Sequence, residues 1–311
     1  MTIPVFPMLA TPGPPPAGPG WSVEFKWDGI RALLDVSDET VRIHSRNGNE
    51  ISAAYPELVT LARGAGDVLL DGEIVAFAEG RPSFERLQAR MHVRSATQAR
   101  RLAVSTPVTF VVFDLLRSYG VDLSGRPYVE RRATLDRWIA ERPGWTLSPF
   151  FDDGAATLAA AREHGLEGVL AKRLASPYRP GVRSPDWGKL RFVRSGEFVV
   201  AGWEGAAEQP GELSSLVLAH WRDGTLTFAG KVGSGLDARS RRMIRRALTD
   251  RASCPLDAPP QPSPGRVVGW CEPTLVVEVE YTMWTDDGRL RNPVFRTVRT
   301  DKDPKEATGD G

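Results

Sequence analysis

Short stretches of alternating apolar and polar residues dominate the first part of the chain. Trp21, Val23 and Phe25 alternate with polar neighbours and stop at Asp28-Gly29, which predicts a strand ended by a turn. Further strands are predicted on the same grounds at residues 41–45, 67–77, 106–116, 166–172 and 184–192. Apolar residues at helical spacing predict helices at residues 55–63, 83–92, 129–141 and 155–164.

The pattern changes near residues 193–196 and becomes mostly strands. These are predicted at residues 198–203, 216–221, 226–232, 274–284 and 289–300. A helix is predicted over 236–248, before a proline-rich loop at 255–264. Five strands and one helix in roughly a hundred residues are typical of a small β-barrel such as an OB-fold. We therefore predict an α+β chain with one domain over residues 1–193 and a barrel over 194–311.

Composition narrows the class of protein. The 311 residues are 41% hydrophobic and 25% charged, which is typical of a globular protein. The net charge is only +1, so a nucleic-acid partner would need a local basic face. The two cysteines lack metal-ligand spacing and fit a reducing compartment. No signal region or membrane-length apolar run is present, so a cytoplasmic protein without membrane contact is expected.

The stretch Glu24-Phe25-Lys26-Trp27-Asp28-Gly29-Ile30-Arg31 is the first candidate for chemistry. The predicted strand would end at Lys26, where its side chain could point into a cleft. A lysine amine is a nucleophile only when neutral, and its ordinary pKa of about 10.4 must fall through burial or nearby cations such as Arg31. A surface lysine beside a hairpin turn produces the same pattern, so this stretch alone leaves both interpretations open.

Two other stretches allow a functional and a structural interpretation. Asp71-Gly72-Glu73 interrupts an apolar run, which indicates either acids that bind something inside a strand or a turn between two strands. The segment Arg239 to Arg246 carries five arginines on a predicted helix. They could follow a phosphate backbone, or they could be a solvated face above buried Met243, Ile244 and Leu248.

Taken together, several spaced stretches resemble the ATP-dependent DNA ligases, within the covalent nucleotidyltransferases that include RNA ligases and mRNA capping enzymes. The matching stretches follow the family's order: Glu24–Arg31, Ser45–Gly48, Asp71–Glu73, Phe110–Asp114, Glu167–Lys172, Trp187–Arg191 and Arg296–Lys302. Flanking stretches, such as Pro7-Met8-Leu9-Ala10, look similar to the bacterial ligase C and ligase D group. The resemblance implies an ATP-grasp-like adenylyltransferase domain, with antiparallel sheets flanked by helices, followed by an OB-fold.

The resemblance also implies a reaction in three steps. Lys26 attacks the α-phosphorus of ATP, AMP passes to a 5′-phosphate at a DNA nick, and the 3′-hydroxyl displaces AMP. Implied catalytic residues are Lys26, Asp28, Lys189, Arg299, Asp301 and Lys302. Implied nucleotide-binding residues are Glu24, Lys26, Arg31, Arg46, Glu73, Phe113, Lys172, Lys189 and Arg191. Mg²⁺ or Mn²⁺ is implied at Glu73 and Glu167.

Within that set, the family's pattern implies finer roles. Lys189 and Arg191 would bind the α-phosphate. The family usually has lysine at the position of Arg191, so a planar guanidinium here replaces the compact charge of an ammonium group. Phe113 would stack on adenine with Glu24 at its edge. Lys172 would either add charge at the phosphates or pair with an acid.

The remaining roles concern DNA and the barrel. Asp28 is implied to act in the DNA-dependent steps. Arg31 and Arg46 are implied to contact the nucleotide or the nick phosphate. Arg299, Asp301 and Lys302 are implied to orient the leaving pyrophosphate, with a hinge at residues 193–196.

The implied partners are nicked duplex DNA and an end-holding protein such as Ku, with the chain acting as a monomer. An RNA ligase, a capping guanylyltransferase and an inactive DNA-end-binding module remain as alternatives. The barrel argues against RNA ligases that lack one, and comparing ATP with GTP would identify a capping enzyme. The intact Lys26, Glu73, Glu167 and Lys189 argue against an inactive module.

Overall fold

Most of the alternating stretches form strands in antiparallel pairs. The structure is a computed structural model that describes residues 6–14, 18–140, 142, 144–209, 211–285 and 287–309. The chain divides into two compact units, Met1–Phe192 and Val193–Gly311. The predicted boundary after residue 193 lies one residue from this division.

Strands and helices alternate in the first unit. Its described strands are β1 (Leu9–Pro12), β2 (Trp21–Lys26), β3 (Ile30–Ser37), β4 (Thr40–Ser45), β5 (Val68–Ala78), β6 (Arg81–Pro82), β7 (Val108–Ser118), β8 (Val121–Asp122), β9 (Thr146–Leu147), β10 (Phe150–Phe151), β11 (Gly168–Arg173) and β12 (Arg183–Arg191). Its described α-helices are α1 (Pro56–Ala62), α2 (Phe84–Gln88), α3 (Ala96–Ser105), α4 (Tyr128–Ala140) and α5 (Gly154–Glu163). A 3₁₀ turn, Ser52–Ala54, precedes α1.

These strands form two sheets. Sheet 1 has the order β1-β12-β11-β2-β10, and sheet 2 has the order β4-β3-β5-β7-β8, with β6 beside β5 and β9 beside β7. Asp28-Gly29 carries the chain from β2 in sheet 1 to β3 in sheet 2, so the hairpin interpretation of this turn is wrong. The crossing requires close packing, since a Cβ at Gly29 would lie 2.2 Å from the carbonyl oxygen of Ile74.

Two β-bulges in β7 turn side chains toward the space between the sheets. The register with β5 shifts twice, so Phe113 and Leu116 have no residue directly opposite. A bulge lets a residue leave the alternation of the strand. Both side chains join a buried cluster to which the two sheets contribute: Met8, Ala10, Leu33, Leu69, Phe113, Leu116, Tyr178 and Trp187.

Helices cover the outer faces of both sheets. Residues of α1, α3 and α4 share a large apolar core with sheet 2, represented by Leu58, Ala99 and Trp138. The outer face of sheet 1 packs on α5 through Val23 and Ala161. The prediction of antiparallel sheets flanked by helices is therefore confirmed for this unit. Within the described ranges, no helix is both long and apolar enough to cross a bilayer.

Arg90 is a buried arginine in the segment predicted as a helix over residues 83–92. Helix α2 ends at Gln88, and Arg90 is fully buried. Its guanidinium donates to the Glu57 carboxylate at 2.7 and 3.0 Å and to the carbonyls of Ala54 and Thr106 at 2.6 and 2.8 Å. These acceptors replace the water that the charge loses, which is why an arginine is tolerated there.

The second unit is mainly strands. They are β13 (Arg194–Ala206), β14 (Ser215–Arg222), β15 (Thr225–Val232), β16 (Asp250–Arg251), β17 (Arg266–Cys271), β18 (Val276–Tyr281), β19 (Met283–Trp284), β20 (Leu290–Arg291) and β21 (Val294–Arg299). Helix α6 (Ala238–Ala247) follows β15, and a 3₁₀ turn, Pro304–Glu306, follows β21.

The long strand β13 organises this unit. Different parts of it pair with β14, β17 and β18, while β14 pairs with β15 and β18 pairs with β21. The resulting order β15-β14-β13-β18-β21 contains the strands predicted for the barrel, around a core that includes Phe198, Leu218 and Val277.

The last two predicted strands are too long. A short hairpin, β19 with β20, leaves the main sheet after β18, and the chain rejoins it only at β21. Asn292, between β20 and β21, has a left-handed φ of 53°, which ends the regular strand there. Strand β17 was not predicted, because it follows directly on the proline-rich loop.

We predict that removing one partner of a buried ion pair costs far more stability than removing one of an exposed pair. Asp114 accepts two 2.8 Å hydrogen bonds from Arg131, and both side chains are fully buried. Asp114→Ala should lower the free energy of unfolding by about 3–5 kcal/mol, because it leaves a buried charge unpaired. Urea denaturation measures this change.

The control variant lies on helix α4, which also carries Arg131. Glu130 pairs with Arg126 at 3.3 Å, and both side chains are more than half exposed. Glu130→Ala should change the free energy of unfolding by less than about 1 kcal/mol. Equal losses for the two variants would contradict the prediction.

Candidate active site

Lys26 ends strand β2, and the strand pairing of sheet 1 decides what surrounds it. Lys26 lies opposite Gly168 on β11, and Gly168 lies opposite Arg191 on β12. One row further in, Glu24, Leu170 and Lys189 face one another in the same way. Residues directly opposite, or two apart, share a face of a sheet. Leu170 packs on the inter-sheet cluster, so this face points toward sheet 2.

Glu167 connects the lysine to the cations of β12. Its carboxylate contacts the Lys26 ammonium through one oxygen and lies 2.8 Å from Arg191 Nε through the other. The side chains of Lys26 and Glu167 are 15% and 12% exposed. The Lys26–Glu167 pair is therefore largely shielded from solvent but still accessible to a ligand.

Gly168 explains how β11 and β12 approach each other beside this pair. A Cβ there would lie 2.0 Å from the carbonyl oxygen of Leu190, and the φ of +154° is one that residues with side chains rarely adopt. Glycine is therefore required next to Glu167 for steric reasons.

Sheet 2 contributes Arg31, which lies beyond the Asp28-Gly29 crossing. Its guanidinium donates to both oxygens of Asp71, at 3.0 and 2.6 Å. It also lies 5.3 Å from the Phe113 ring and 5.4 Å from the Trp187 ring. Burial alone would lower the pKa of Arg31, but the charge and hydrogen bonds of Asp71 raise it overall. Arg31 is therefore a fixed cation.

Asp71 and Glu73 lie inside one continuous strand, so the turn interpretation of Asp71-Gly72-Glu73 is wrong. Asp71 is fully buried and also accepts from the Tyr178 hydroxyl at 2.6 Å. Glu73 lies opposite Arg31 and is half-buried. Burial raises the pKa of Glu73 to about 8, with Lys26 and Arg31 opposing the rise and Glu167 adding to it.

A cluster of cations lies near Lys26, on β12 and in the turn after β4. Burial lowers the pKa of Lys189, and the nearby charges of Arg191, Arg183, Lys26 and Arg46 lower it further. Such mutual influence shows that these groups lie close together. Arg46, in the turn after β4, is tied to this region because its amide donates to the Arg31 carbonyl at 3.1 Å. Arg183 was not predicted.

The inner end of the inter-sheet space is closed by buried polar pairs. Glu24 is 1% exposed, accepts from the Tyr128 hydroxyl and pairs with Lys172 at 2.8 Å. Lys172 is fully buried, so of its two predicted alternatives the structure shows pairing with an acid. Its ammonium lies 4.4 Å from the Phe113 ring and 4.7 Å from the Trp187 ring. Phe113 itself is 4% exposed.

Sequence reasoning missed several residues that hold these groups in place. Tyr128 and Tyr178 support Glu24 and Asp71, and Asp114 with Arg131 forms a neighbouring buried pair. Asp114 and Trp187 belong to stretches that match the family, and that position was the available signal. The two tyrosines come from a helix start and a loop, where no sequence pattern marks them.

In the second unit, Arg299, Asp301 and Lys302 form a cluster of their own. Arg299 donates to both oxygens of Asp301, at 2.9 and 2.8 Å. The carboxylate of Glu197 lies 2.6 Å from Arg299 and 3.1 Å from Lys302. Glu197 thus bridges both cations, a role that sequence reasoning did not predict.

The residues present fit a hard divalent cation at Glu73 and Glu167. Both supply carboxylate oxygens, and the charge of Glu167 adds to the cost of ionising the buried Glu73. A cation between them would relieve that cost. Within the described ranges no cluster of three metal-ligating His, Cys, Asp or Glu side chains exists, so water or phosphate oxygens would have to complete the shell.

Comparisons with known proteins bear on the family and the fold of the chain. A family model for the ATP dependent DNA ligase domain matches residues 7–191, and one for the ATP dependent DNA ligase C terminal region matches residues 209–302. The multifunctional non-homologous end joining DNA repair protein LigD of Mycobacterium tuberculosis is 37% identical over 311 residues, covering 96% of this chain and 39% of LigD. The chain therefore spans about two fifths of the length of such relatives.

Two further similarities bear on the fold. DNA ligase C2 of Mycolicibacterium smegmatis is 35% identical over 238 residues, covering 74% of this chain and 66% of that protein. A solved structure of mycobacterial DNA ligase D complexed with ATP and MES matches with 36% identity, a TM-score of 0.57 and 98% coverage of both chains. The predicted fold, a nucleotidyltransferase domain followed by an OB-fold, is confirmed.

We predict that Glu73 titrates far above an ordinary glutamate, near pH 8 rather than 4.5. The folded state then holds a proton that the unfolded state has lost, so stability decreases as the pH rises between about 4.5 and 8. A ¹³C NMR titration of the side-chain carboxyls, with Glu73→Gln to identify the signal, measures this pKa. Lys26→Ala should raise it further, because the variant removes an opposing positive charge. A signal titrating near pH 4.5 in both proteins would contradict the prediction.

Proposed function

The chain belongs to the ATP-dependent DNA ligase family, and from that premise we propose that it seals nicks or breaks in duplex DNA through a lysyl-AMP on Lys26. The observation that carries the proposal is the position of Lys26. It ends a strand beside Glu167, whose carboxylate joins it to Arg191 in a group of cations that includes Lys189. A nucleophile beside preorganised cations suits attack on a phosphate.

The reaction would proceed in three balanced displacements. The neutral amine of Lys26 attacks the α-phosphorus of ATP, an N–P bond forms as the nitrogen releases one proton to solvent, and pyrophosphate leaves with the α–β bridging oxygen. A 5′-phosphate oxygen at the nick next attacks the phosphorus of the lysyl-AMP and forms a P–O–P bond, and the N–P bond breaks as the nitrogen takes up a proton and becomes the amine again. The 3′-hydroxyl finally loses its proton and attacks that 5′-phosphate, and AMP leaves as the phosphodiester forms.

The cations of the first unit would stabilise the charge on phosphate oxygens in these steps. Lys189 and Arg191 lie on the same face as Lys26, where they can neutralise the α-phosphate. Arg46 belongs to the same electrostatic cluster and would contact the nucleotide or the nick phosphate. Arg31, fixed by Asp71, would do the same from sheet 2. We assign Asp28 to the DNA-dependent steps, because it lies at the crossing just beyond Lys26.

Adenine and ribose would occupy the space between the sheets. Phe113, turned inward by its bulge, would stack on the base, and Glu24 would lie at its edge. Lys172 would hold Glu24 in its orientation through their buried pair. Glu73 would bind the ribose hydroxyl or Mg²⁺. Glu73 and Glu167 would hold Mg²⁺ or Mn²⁺, which supplies charge neutralisation at phosphate oxygens when bound.

The pathway and partners follow from the relatives. LigD of Mycobacterium tuberculosis is described as a protein of non-homologous end joining and DNA repair. We extend this role to the chain, acting as a monomer in the cytoplasm on nicked or broken DNA of the nucleoid, with an end-holding protein of the Ku type as partner. Because breaks occur in any sequence, binding would rest on phosphate contacts and duplex shape.

We predict that incubation with ATP and Mg²⁺ adds one AMP to the protein, as measured by intact mass. The adduct should be absent in Lys26→Ala and should disappear when nicked duplex DNA is added, with the strand sealed. A GMP adduct from GTP instead would identify a capping enzyme, and sealing restricted to nicked RNA would identify an RNA ligase. No adduct from either nucleotide, after pyrophosphate treatment to remove bound AMP, would refute the ligase proposal and leave an inactive binding module.

We predict that Lys302→Ala separates the first step from the last. Arg299, Asp301 and Lys302 are assigned to the leaving pyrophosphate, which occurs only in the first step. Lysyl-AMP formation should fall about 10²–10³-fold, whereas sealing of a nick that already carries 5′-AMP should change little. Lys305→Ala, an exposed lysine three residues away, is the control and should affect neither step. An equal loss in both steps would contradict the assignment.

A further inference from the structure

Helix α6 of the second unit has one buried side and one exposed side. Asp237 caps its N-terminus by accepting from the Ser240 amide at 2.7 Å. Ile244 is 1% exposed and joins the barrel core together with the flanking residues Leu236 and Leu248. Arg245 lies 4.6 Å from the Trp203 ring and pairs with Asp250 at 2.9 Å. These contacts attach the helix to the barrel and set its rotation.

The opposite side carries Arg239, Arg242 and Arg246. At 3.6 residues per turn these three lie within a sector of about 60°, opposite Ile244 and Leu248. All three are exposed, and no ion pair or side-chain hydrogen bond joins them to any described residue. Residues 238–249 contain no acid, and Asp237, the acid beside Arg239, is engaged as the cap. We call these three residues the α6 arginine face.

This face differs from the arginine-containing surface of α4, which carries compensating acids. On α4, Arg132 pairs with Asp136 one turn later, and Glu130 pairs with Arg126. Like charges three or four residues apart on a helix repel each other unless an anion lies nearby. Among the described residues of the second unit, no acidic side chain forms an ion pair with the α6 arginine face.

We propose that the α6 arginine face binds the phosphate backbone of the DNA duplex beside the nick. The inference rests on the proposed function, since it names a contact surface for the same substrate. The net charge of the chain is only +1, so attraction to a polyanion must come from local surfaces of this kind. The face spans about 10 Å along the helix axis, which matches about three phosphates at roughly 3.4 Å of rise per strand.

The chemistry of the face favours DNA over an acidic protein. Protein interfaces are usually centred on buried aromatic or aliphatic anchors. Among the described residues of α6, Met243 is the large apolar side chain that is exposed, at 53%. Arginines in a line, always charged and able to donate two hydrogen bonds each, are suited to phosphate oxygens instead.

The test is a salt titration of DNA binding by the triple variant Arg239→Gln, Arg242→Gln, Arg246→Gln. The probe is a nicked duplex ending in a 3′-dideoxynucleotide, followed by fluorescence anisotropy, so that no sealing occurs. Each lost phosphate contact lowers the slope of log K against log [KCl] by about 0.9. We expect the slope to fall by about 2–3 and the Kd near 0.15 M KCl to rise at least about tenfold. Glutamine has a helix propensity close to that of arginine, so the fold should persist.

A matched variant controls for the change of net charge. Arg94→Gln, Arg100→Gln, Arg101→Gln removes the same three charges from exposed positions of the first unit. Its salt slope should stay close to that of the unmodified protein. An unchanged slope in the α6 variant, or an equal decrease in both variants, would overturn the proposal.

Formation of lysyl-AMP separates this proposal from the proposed function. Both triple variants should form the adduct with ATP at the rate of the unmodified protein, because none of the substituted arginines is among the residues assigned to that step. If the unmodified protein forms no adduct, the ligase function fails whatever the slopes show. If it forms the adduct and seals nicks while the α6 variant keeps its slope, the α6 arginine face alone is refuted.

Discussion

The contact between Lys26 and Glu167 depends on the pairing of three strands. Lys26, Gly168 and Arg191 lie in one row across β2, β11 and β12, and Glu167 precedes that row by one residue. A slip of one residue would turn every side chain of β2 to the opposite face. It would replace Lys26 and Glu24 by the apolar residues that pack on α5. The apolar outer face of sheet 1 therefore fixes the position of Lys26.

The inter-sheet space has a graded character that suits its proposed ligand. At its inner end the charges are paired and buried: Glu24 with Lys172, Asp114 with Arg131. Toward Lys26 the charges are partly exposed, and the cations of β12 share few acids. Buried pairs are costly to break and so hold their geometry. The inner pairs would give a rigid seat for the base, while the outer cations remain able to bind phosphate.

In the second unit, too, an acid holds cations in place, but there the group lies at the surface. Glu197 bridges Arg299 and Lys302, so both cations are placed before any phosphate reaches them. Because the acid is shared and partly exposed, it can be exchanged for phosphate oxygens at modest cost. The α6 arginine face has no such acid. The second unit thus contains both cations that an acid holds in place and the α6 arginine face, which has no such acid. We assign Arg299 and Lys302 to the chemical step and the α6 arginine face to substrate binding.

What the sequence determined by itself was the set of strands and the identity of the chemical groups. Alternation placed β2, β5, β7 and β12, and the ordered motifs identified the family, because strand periodicity and motif spacing are local properties of the chain. The tertiary structure alone decided which groups meet. It sent the chain across to a second sheet at Asp28-Gly29, turned Phe113 inward through a bulge and buried Arg90 against Glu57. These outcomes depend on contacts between residues distant in sequence, which no local pattern encodes.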